Sequence, residues 1–404
     1  MRVLIAGGGT GGHLFPGIAV AEELRARGGQ ELLFVGTAKG IEARVVPKEG
    51  FALELVDVGG LKGQGPLGLL RGLLRLPRSL LQSLALVRRF RPDLVLGVGG
   101  YASGPVVLAA VLGGRATAIL EQNSVPGITN RILGRLVGAV YGAFVESQPF
   151  FPAGKLHLLG NPIRARFRAA LAAGGQDAAS QQTFAATAAG HDAASQQDGP
   201  LAAAGRAAAG PPKRLLVCGG SQGAHAVNLL VVEAMKLLHG EGRAPAICHQ
   251  TGVQDRPAIE AAYGAAGIVA EVRDFIDDMA RAYGDADLVI GRAGATTLAE
   301  LTAIGRPAIL IPFPFAADDH QTVNARSLER RGAAVVLPQG QLTPRRLADE
   351  IARLLGDPEA RQRMAAASKA AGRPESTAAI VDRLLELAGG GRGPQGAASS
   401  RKTG

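Results

Sequence analysis

Short runs that are apolar throughout alternate, along the first half of the chain, with segments whose apolar positions recur every three or four residues. Residues 3–6, 32–36, 94–98 and 116–120 have the unbroken apolarity of strands buried on both faces. A helix is expected from Pro16, with Ile18, Ala21 and Leu24 on one side and a proline in the first turn as its start. The alternation restarts at Arg214–Cys218. Further strands are expected at 246–249, 287–290, 308–311 and 334–337, with helices between them and after them to about Ala388. Buried strands separated by helices imply α/β architecture, a doubly wound parallel sheet in each half.

Between the halves the pattern breaks. Residues 169–212 are rich in Ala, Gly and Gln and repeat Asp-Ala-Ala-Ser-Gln-Gln, with too few large apolar side chains to offset the entropy of ordering. The expected organisation is an α/β domain over 1–168 and a low-complexity linker over 169–212. A second α/β domain over 213–372 follows, then a terminal helix over 373–388 that packs back toward the first domain. A Gly-, Ser- and Arg-rich tail over 389–404 is expected to be disordered.

Composition sharpens this picture only a little. With 404 residues, 47% hydrophobic and 19% charged, the chain has room for two globular cores, and without Trp they are built of Leu, Val, Ile and Ala. Cys218 and Cys248 sit in apolar runs and read as buried thiols of a reducing compartment, not as a disulfide framework. No apolar run approaches the roughly 18–20 residues of a spanning helix, and Met1-Arg2 lead straight into a strand, so neither a signal peptide nor a span is expected. The formal charge of +10 favours an anionic partner, whether nucleic acid, anionic lipid or a phosphorylated substrate.

Two glycine-rich turns carry the first chemistry. Gly7-Gly8-Gly9-Thr10-Gly11-Gly12-His13 and Gly219-Gly220-Ser221-Gln222-Gly223 each follow a strand and precede a helix, which aims backbone N–H groups and a positive helix end at an anion. The first contains a dinucleotide fingerprint, Gly7-x-Gly9-x-x-Gly12. The second strand ends in Gly36-Thr37-Ala38 without the acid that takes ribose hydroxyls, so a diphosphate cradle is favoured over a dinucleotide site. His13, beside a helix N-terminus, is biased toward its neutral form and reads equally as a base or as a loop histidine bonded to backbone.

Further polar positions fall at strand ends, where parallel α/β sheets bind ligands. Gly97-Val98-Gly99-Gly100-Tyr101 and Leu120-Glu121-Gln122-Asn123 are two such places, and Glu121 reads as part of the ligand crevice or as a helix N-cap or turn acid. Asn161-Pro162-Ile163-Arg164 lies where the domains should meet. In the second half, Gly291-Arg292-Ala293-Gly294-Ala295-Thr296-Thr297 opens a helix with hydroxyls and no early acid, which suits a diphosphate. Glu300, a turn further on, either takes ribose hydroxyls or is an ordinary solvated glutamate. Asp318 and Asp319 invite a metal reading, although acids at a helix start are common caps. From Leu61 to Arg91 the chain carries Lys62, Arg71, Arg75, Arg78, Arg88, Arg89 and Arg91 among many leucines and no acid before Arg91. Leu80, Leu81, Leu84 and Val87 form one helical face, as in a core helix or a surface for an anionic bilayer.

Taken in order, Gly8-Gly9-Thr10-Gly11-Gly12-His13, Gly99-Gly100-Tyr101, Glu121-Gln122-Asn123, Gly160-Asn161-Pro162, Gly219-Gly220-Ser221-Gln222-Gly223-Ala224 and His320-Gln321 resemble the MurG family. That family comprises the N-acetylglucosaminyltransferases converting lipid I to lipid II in peptidoglycan synthesis. The resemblance covers nearly the whole chain except the linker, which is long for the family, and the tail. It implies a GT-B fold, two Rossmann-like domains with a cleft between them, and no cofactor or metal. Ser221, Ala295, Thr296 and Thr297 would then hold the donor diphosphate, Ile276 the uracil and Glu300 the ribose. Gln321, Asn123, Arg164, Thr10, Gly11 and Gly12 would reach the sugar or nucleotide. Gly9, Gly99, Gly100, Tyr101 and His13 would meet the acceptor, with His13 the first candidate for the base and Glu121 the second. Some family members have Gln at the position of His320, so only Gln321 is carried over. The implied partners are UDP-N-acetylglucosamine, a muramoyl-pentapeptide on undecaprenyl diphosphate and an anionic membrane surface, but no nucleic acid, with cell-wall or division proteins as further candidates. The implied location is peripheral, on the cytoplasmic face of the cell membrane. Two other readings share the fold: a GT-B transferase with another lipid or natural-product acceptor, and a UDP-N-acetylglucosamine 2-epimerase.

Overall fold

The computed structural model describes residues 1–58, 65–173, 213–219 and 223–390. Most of the expected linker, the tail from residue 391, Lys62 and Ser221 lie outside the described residues, as do the side chains of Arg71 and Arg75.

The first sheet holds β1 (Arg2–Gly7), β2 (Glu31–Gly36), β3 (Ala52–Leu55), β4 (Leu94–Gly99), β5 (Ala116–Glu121), β6 (Ala139–Gly142) and β7 (Leu156–Leu158). The second holds β8 (Arg214–Cys218), β9 (Ala246–Gln250), β10 (Ala270–Arg273), β11 (Leu288–Gly291), β12 (Ala308–Leu310) and β13 (Val335–Val336). Their orders are β3-β2-β1-β4-β5-β6-β7 and β10-β9-β8-β11-β12-β13, and every pairing is parallel. Strand order reverses beside β1 in one sheet and beside β8 in the other. Loops leaving β1 and β4, and β8 and β11, therefore diverge and open a crevice at the carboxyl ends of the strands.

Around the first sheet run α1 (Gly11–Arg27), α2 (Glu42–Lys48), α3 (Gly65–Phe90), α4 (Ser103–Leu112), α5 (Ile128–Leu136) and α6 (Ala165–Ala173). With the second run α7 (His225–Gly240), α8 (Arg256–Ala265), α9 (Met279–Asp285), α10 (Ala295–Ile304), α11 (His320–Glu329), α12 (Pro344–Gly356) and α13 (Pro358–Ala371), before the last helix, α14 (Ser376–Gly390). The first helix corrects an expectation. It begins at Gly11, with Pro16 inside it, because Thr10 in extended conformation already starts the helical bonding: its carbonyl accepts from His13 and Leu14. Ile18, Val20, Ala21 and Leu24 are fully buried in one core with residues of β1 and β4.

The domains exchange ends. Ile163 and Phe167 pack into the core of the second domain, beside Leu216, Cys218 and Tyr283, so the chain crosses before residue 168. In return, α14 places Ile380, Val381, Leu384 and Ala388 in the core of the first, beside Val3, Ile5 and Leu14. The two crossings are stapled: Thr377 Oγ1 accepts from Ile163 N–H (2.9 Å) and donates to the Ile163 carbonyl (3.0 Å).

In α3, Val87 is buried and Leu80 and Leu84 pack against the first core, while Leu81 is exposed. The core reading accounts for this part of the Leu- and Arg-rich segment. Among the described residues no helix is long and apolar enough to cross a membrane. Both cysteines are free; Cys218 is buried and Cys248 partly so, and burial pushes each thiol up to about 12.

Candidate active site

The glycine loop after β1 rests on the loop after β4, since Gly8 N–H donates to the Gly99 carbonyl at 3.1 Å. A residue that sequence reasoning missed holds the rest. Glu42 of α2 is buried, and its Oε2 accepts from Gly9 N–H (2.7 Å) while Oε1 accepts from Thr37 N–H (2.8 Å) and Thr37 Oγ1 (2.9 Å). Two amides of the expected diphosphate cradle are thus already engaged. The donors left are those of the first turn of α1, Gly11 and Gly12, which have no intrahelical acceptor.

His13 lies in that turn, and its Nδ1 is 3.3 Å from Gln122 Oε1. Gln122 Nε2 donates to the Val98 carbonyl (3.0 Å), which fixes the orientation of the amide and presents its oxygen to the imidazole. Nδ1 therefore carries the proton, and Nε2 is the lone-pair nitrogen. Burial lowers the pKa of His13; the Gln122 hydrogen bond opposes this, His320 of the other domain adds to it, and the Val98 carbonyl opposes it. The ring is neutral at neutral pH, the state a base requires. Gly99, at φ +94°, makes room for it, because a Cβ there would lie 2.5 Å from His13 Nδ1. Gly99→Ala is expected to shift the ring and strain the loop at a cost of about 1 kcal/mol, lowering kcat about fivefold. Steady-state kinetics on the folded variant checks this.

Glu121, at the end of β5, is buried. Its Oε1 accepts from Asn123 N–H (2.9 Å) and Oε2 from Asn130 Nδ2 (2.8 Å). These are the bonds of a turn acid. Burial raises its carboxyl to about 7 against the opposing hydrogen bonds of Asn123 and Asn130. Next to it, Asn123 Oδ1 accepts from Asn324 Nδ2 at 3.3 Å, which turns the Asn123 amide nitrogen away from that contact. Asn324, on α11, is fully buried and joins the domains: Oδ1 accepts from Ser124 N–H (2.9 Å) and Ser124 Oγ (2.7 Å), and Nδ2 also donates to the Ala293 carbonyl (3.2 Å). Ser124 was not singled out by the sequence.

On the second domain, α10 starts at Ala295 after Gly294, with no acid in its first turn. Thr296 Oγ1 is buried without a hydrogen-bond partner among the described residues. Glu300 is buried rather than solvated, and burial raises its carboxyl to about 7, with Arg166 opposing. Arg164 approaches it to 4.0 Å while its guanidinium lies over the Phe15 ring, 4.6 Å from the centroid, so one cation touches both α1 and α10. Gln321 Oε1 accepts from Phe313 N–H (3.0 Å), and Ile276 is buried in the second core. Tyr101 is half exposed next to Gly100, whose φ of +80° allows an approach to the Gly8 carbonyl that a Cβ would block at 2.3 Å.

Asp318 and Asp319 both adopt left-handed backbone conformations immediately before α11; Asp319 Oδ1 accepts from Thr322 Oγ1 (2.6 Å) but caps no backbone N–H of the helix. Among the described residues no three His, Cys, Asp or Glu side chains gather as a metal site.

Residues 3–142 match the glycosyltransferase family 28 N-terminal domain and residues 214–380 its C-terminal domain. The crystal structure of Acinetobacter baumannii MurG superposes with a TM-score of 0.72 at 30% identity, over 95% of this chain and 99% of that one. A Listeria monocytogenes structure described as a UDP-N-acetylglucosamine 2-epimerase gives a TM-score of 0.60 at 14% identity over 95% of this chain and 96% of that one, a likeness of fold alone. The two parallel-sheet domains form a GT-B fold. A curated relative from Anaeromyxobacter sp. (strain Fw109-5), named UDP-N-acetylglucosamine–N-acetylmuramyl-(pentapeptide) pyrophosphoryl-undecaprenol N-acetylglucosamine transferase, is 50% identical over 388 residues, 96% of this chain and 93% of its own. The chain belongs to that family, the MurG glycosyltransferases.

Proposed function

We infer that this glycosyltransferase moves N-acetylglucosamine from UDP to the 4-hydroxyl of the N-acetylmuramoyl unit of a pentapeptide-bearing undecaprenyl diphosphate. The observation that carries the mechanism is the placing of His13 at the switch point of the first domain, with Nδ1 held at Gln122 Oε1 and the ring buried, which favours its neutral form with Nε2 free to take a proton. The acceptor hydroxyl attacks the anomeric carbon, the bond from that carbon to the diphosphate oxygen breaks, and the configuration inverts to a β-1,4 link. His13 Nε2 takes the hydroxyl proton and UDP departs. The charge growing on its diphosphate meets the first turn of α10, with Ala295, Thr296 and Thr297. Ser221, which lies outside the described residues, is assigned to the same diphosphate from the family resemblance alone. Glu300 holds the ribose, Ile276 the uracil, and Gln321, Asn123 and Arg164 close on the sugar and nucleotide with Thr10, Gly11 and Gly12. Gly9, Gly99, Gly100 and Tyr101 receive the acceptor. The test is transfer of labelled sugar from UDP to a short-chain lipid I analogue. Lipid-dependent product supports the reading; sugar isomerisation or UDP release without lipid product overturns it.

The same reading places the enzyme on the cytoplasmic face of the membrane that carries its acceptor. Helix α5, which follows the Glu121–Asn123 turn, exposes Ile128, Ile132 and Leu136 at every fourth position, with Arg131 and Arg135 beside them. An apolar stripe flanked by cations fits an anionic bilayer. Arg135→Ala is expected to weaken binding to anionic vesicles about fivefold, from about 1 kcal/mol per basic residue. Ile132→Asp should weaken binding to anionic and neutral vesicles alike, as read by co-sedimentation.

A further inference from the structure

Where the two chain crossings meet, an interdomain cavity of about 100 Å³ lies between the ends of β6 and β7, helices α10 and α11, and the segment leading into α14. It adjoins the start of α10 at Ala295 and extends from there along Leu298, Ala299 and Thr302, while Thr296 and Thr297 do not line it. Its walls are mostly apolar, with one buried unpartnered amide among them and two exposed arginines in its lining. Asn161 is 5% exposed, and both its Oδ1 and Nδ2 are buried without a hydrogen-bond partner among the described residues. Arg331, just past α11, and Arg373, before α14, also line the cavity, and neither guanidinium has an ion-pair partner among the described residues. No Asp or Glu lines it, and the nearby Glu146 is already paired with Arg330. Gly160, at φ +93°, lets the Arg373 stem close in, since a Cβ would lie 2.9 Å from Arg373 Cβ.

We propose that this cavity is a binding site for a small protonated oxyanion, inorganic hydrogen phosphate, held by Asn161, Arg331 and Arg373. A cavity of about 100 Å³ has room for several waters or one tetrahedral anion. Two guanidiniums supply the counter-charge. The amide decides the species: Asn161 Nδ2 must donate and Oδ1 must accept. Hydrogen phosphate has both charged oxygens and a P–OH, whereas sulfate at neutral pH has no proton to give. Because Asn161 ends the first domain, Arg331 belongs to the second and Arg373 to the returning segment, an anion there bridges the two domains. Phosphate and UDP-sugar then strengthen each other's binding, a coupling that rests on the transferase reading.

The test is calorimetric titration of inorganic phosphate into the full chain in phosphate-free buffer with UDP saturating the nucleotide site, with sulfate in parallel. Support is saturable one-to-one phosphate binding, at least tenfold tighter than sulfate, that weakens tenfold or more in Arg373→Ala and in Asn161→Leu. Arg331→Ala, a surface change, gives the same readout if Asn161→Leu misfolds. No saturable binding, or binding untouched by the arginine substitutions, overturns the site and leaves the cavity to water. Failure of the transfer assay with phosphate binding intact would instead remove the functional reading and its coupling.

Discussion

Replacing His13 with alanine is expected to lower kcat for sugar transfer by about 10²–10⁴, the usual worth of a general base, with UDP affinity changed by about twofold at most. The separation follows from placement: His13 sits on the first domain, whereas the donor helix α10 belongs to the second. The pH profile adds a sharper criterion. Burial sets the pKa of His13 below 6.5, so protonation of the base should appear as an acid limb below that value in kcat at saturating UDP-sugar. Under that condition Glu300, whose free carboxyl burial raises to about 7, is held by the ribose. Were Glu121 the base, the limb would fall near 7, where burial places its carboxyl. Glu121→Gln is therefore a control: it keeps an acceptor for Asn123 N–H and should leave the position of the limb unchanged. A limb near 7 that Glu121→Gln abolishes would exchange the two assignments.

Asn324→Leu is expected to lower kcat/KM for the UDP-sugar by about 10–100-fold. Its side chain answers Ser124 N–H and Oγ, and each buried polar group left unpaired costs about 1–3 kcal/mol. Asn324→Asp separates two contributions. An aspartate still accepts from Ser124 but cannot donate to Asn123 Oδ1 or the Ala293 carbonyl. If Asn324 only holds the domains together, the aspartate should restore most of the loss. If it also orients Asn123 toward the sugar, the aspartate should recover KM and leave kcat depressed. Equal kinetics for wild type and the leucine variant would show that the clasp has no part in turnover.

What the sequence made legible follows the physics of burial. Central strands such as β1, β4 and β5 are covered on both faces and read as unbroken apolar runs, so they were found within a residue or two. The strands that were missed are of another kind. Ala52–Leu55, Leu156–Leu158 and Ala270–Arg273 lie at sheet edges, where polar and apolar residues mix. Ala139–Gly142 is interior but only four residues long, too short to announce itself. The glycine loops, His13, Glu121, Arg164 and Glu300 could be picked out because loops that follow buried strands are few. Glu42, Gln122, Ser124 and Asn324 act through contacts between residues distant in sequence, and Asn324 meets Ser124 across 200 positions. No local pattern encodes such a pair. Gln122 was within reach, since it stands between two residues already singled out, and alternation along β5 would have asked what its side chain faces.

The return of α14 into the first core also governs how the polypeptide matures on the ribosome. Until Ile380, Val381 and Leu384 have been synthesised, the groove they fill beside Val3, Ile5 and Leu14 stays open, even though the seven strands of that domain emerged long before. The domain made first is therefore completed last, and the nascent chain carries an unfilled apolar groove throughout synthesis of the second domain. That is a natural target for a holdase chaperone.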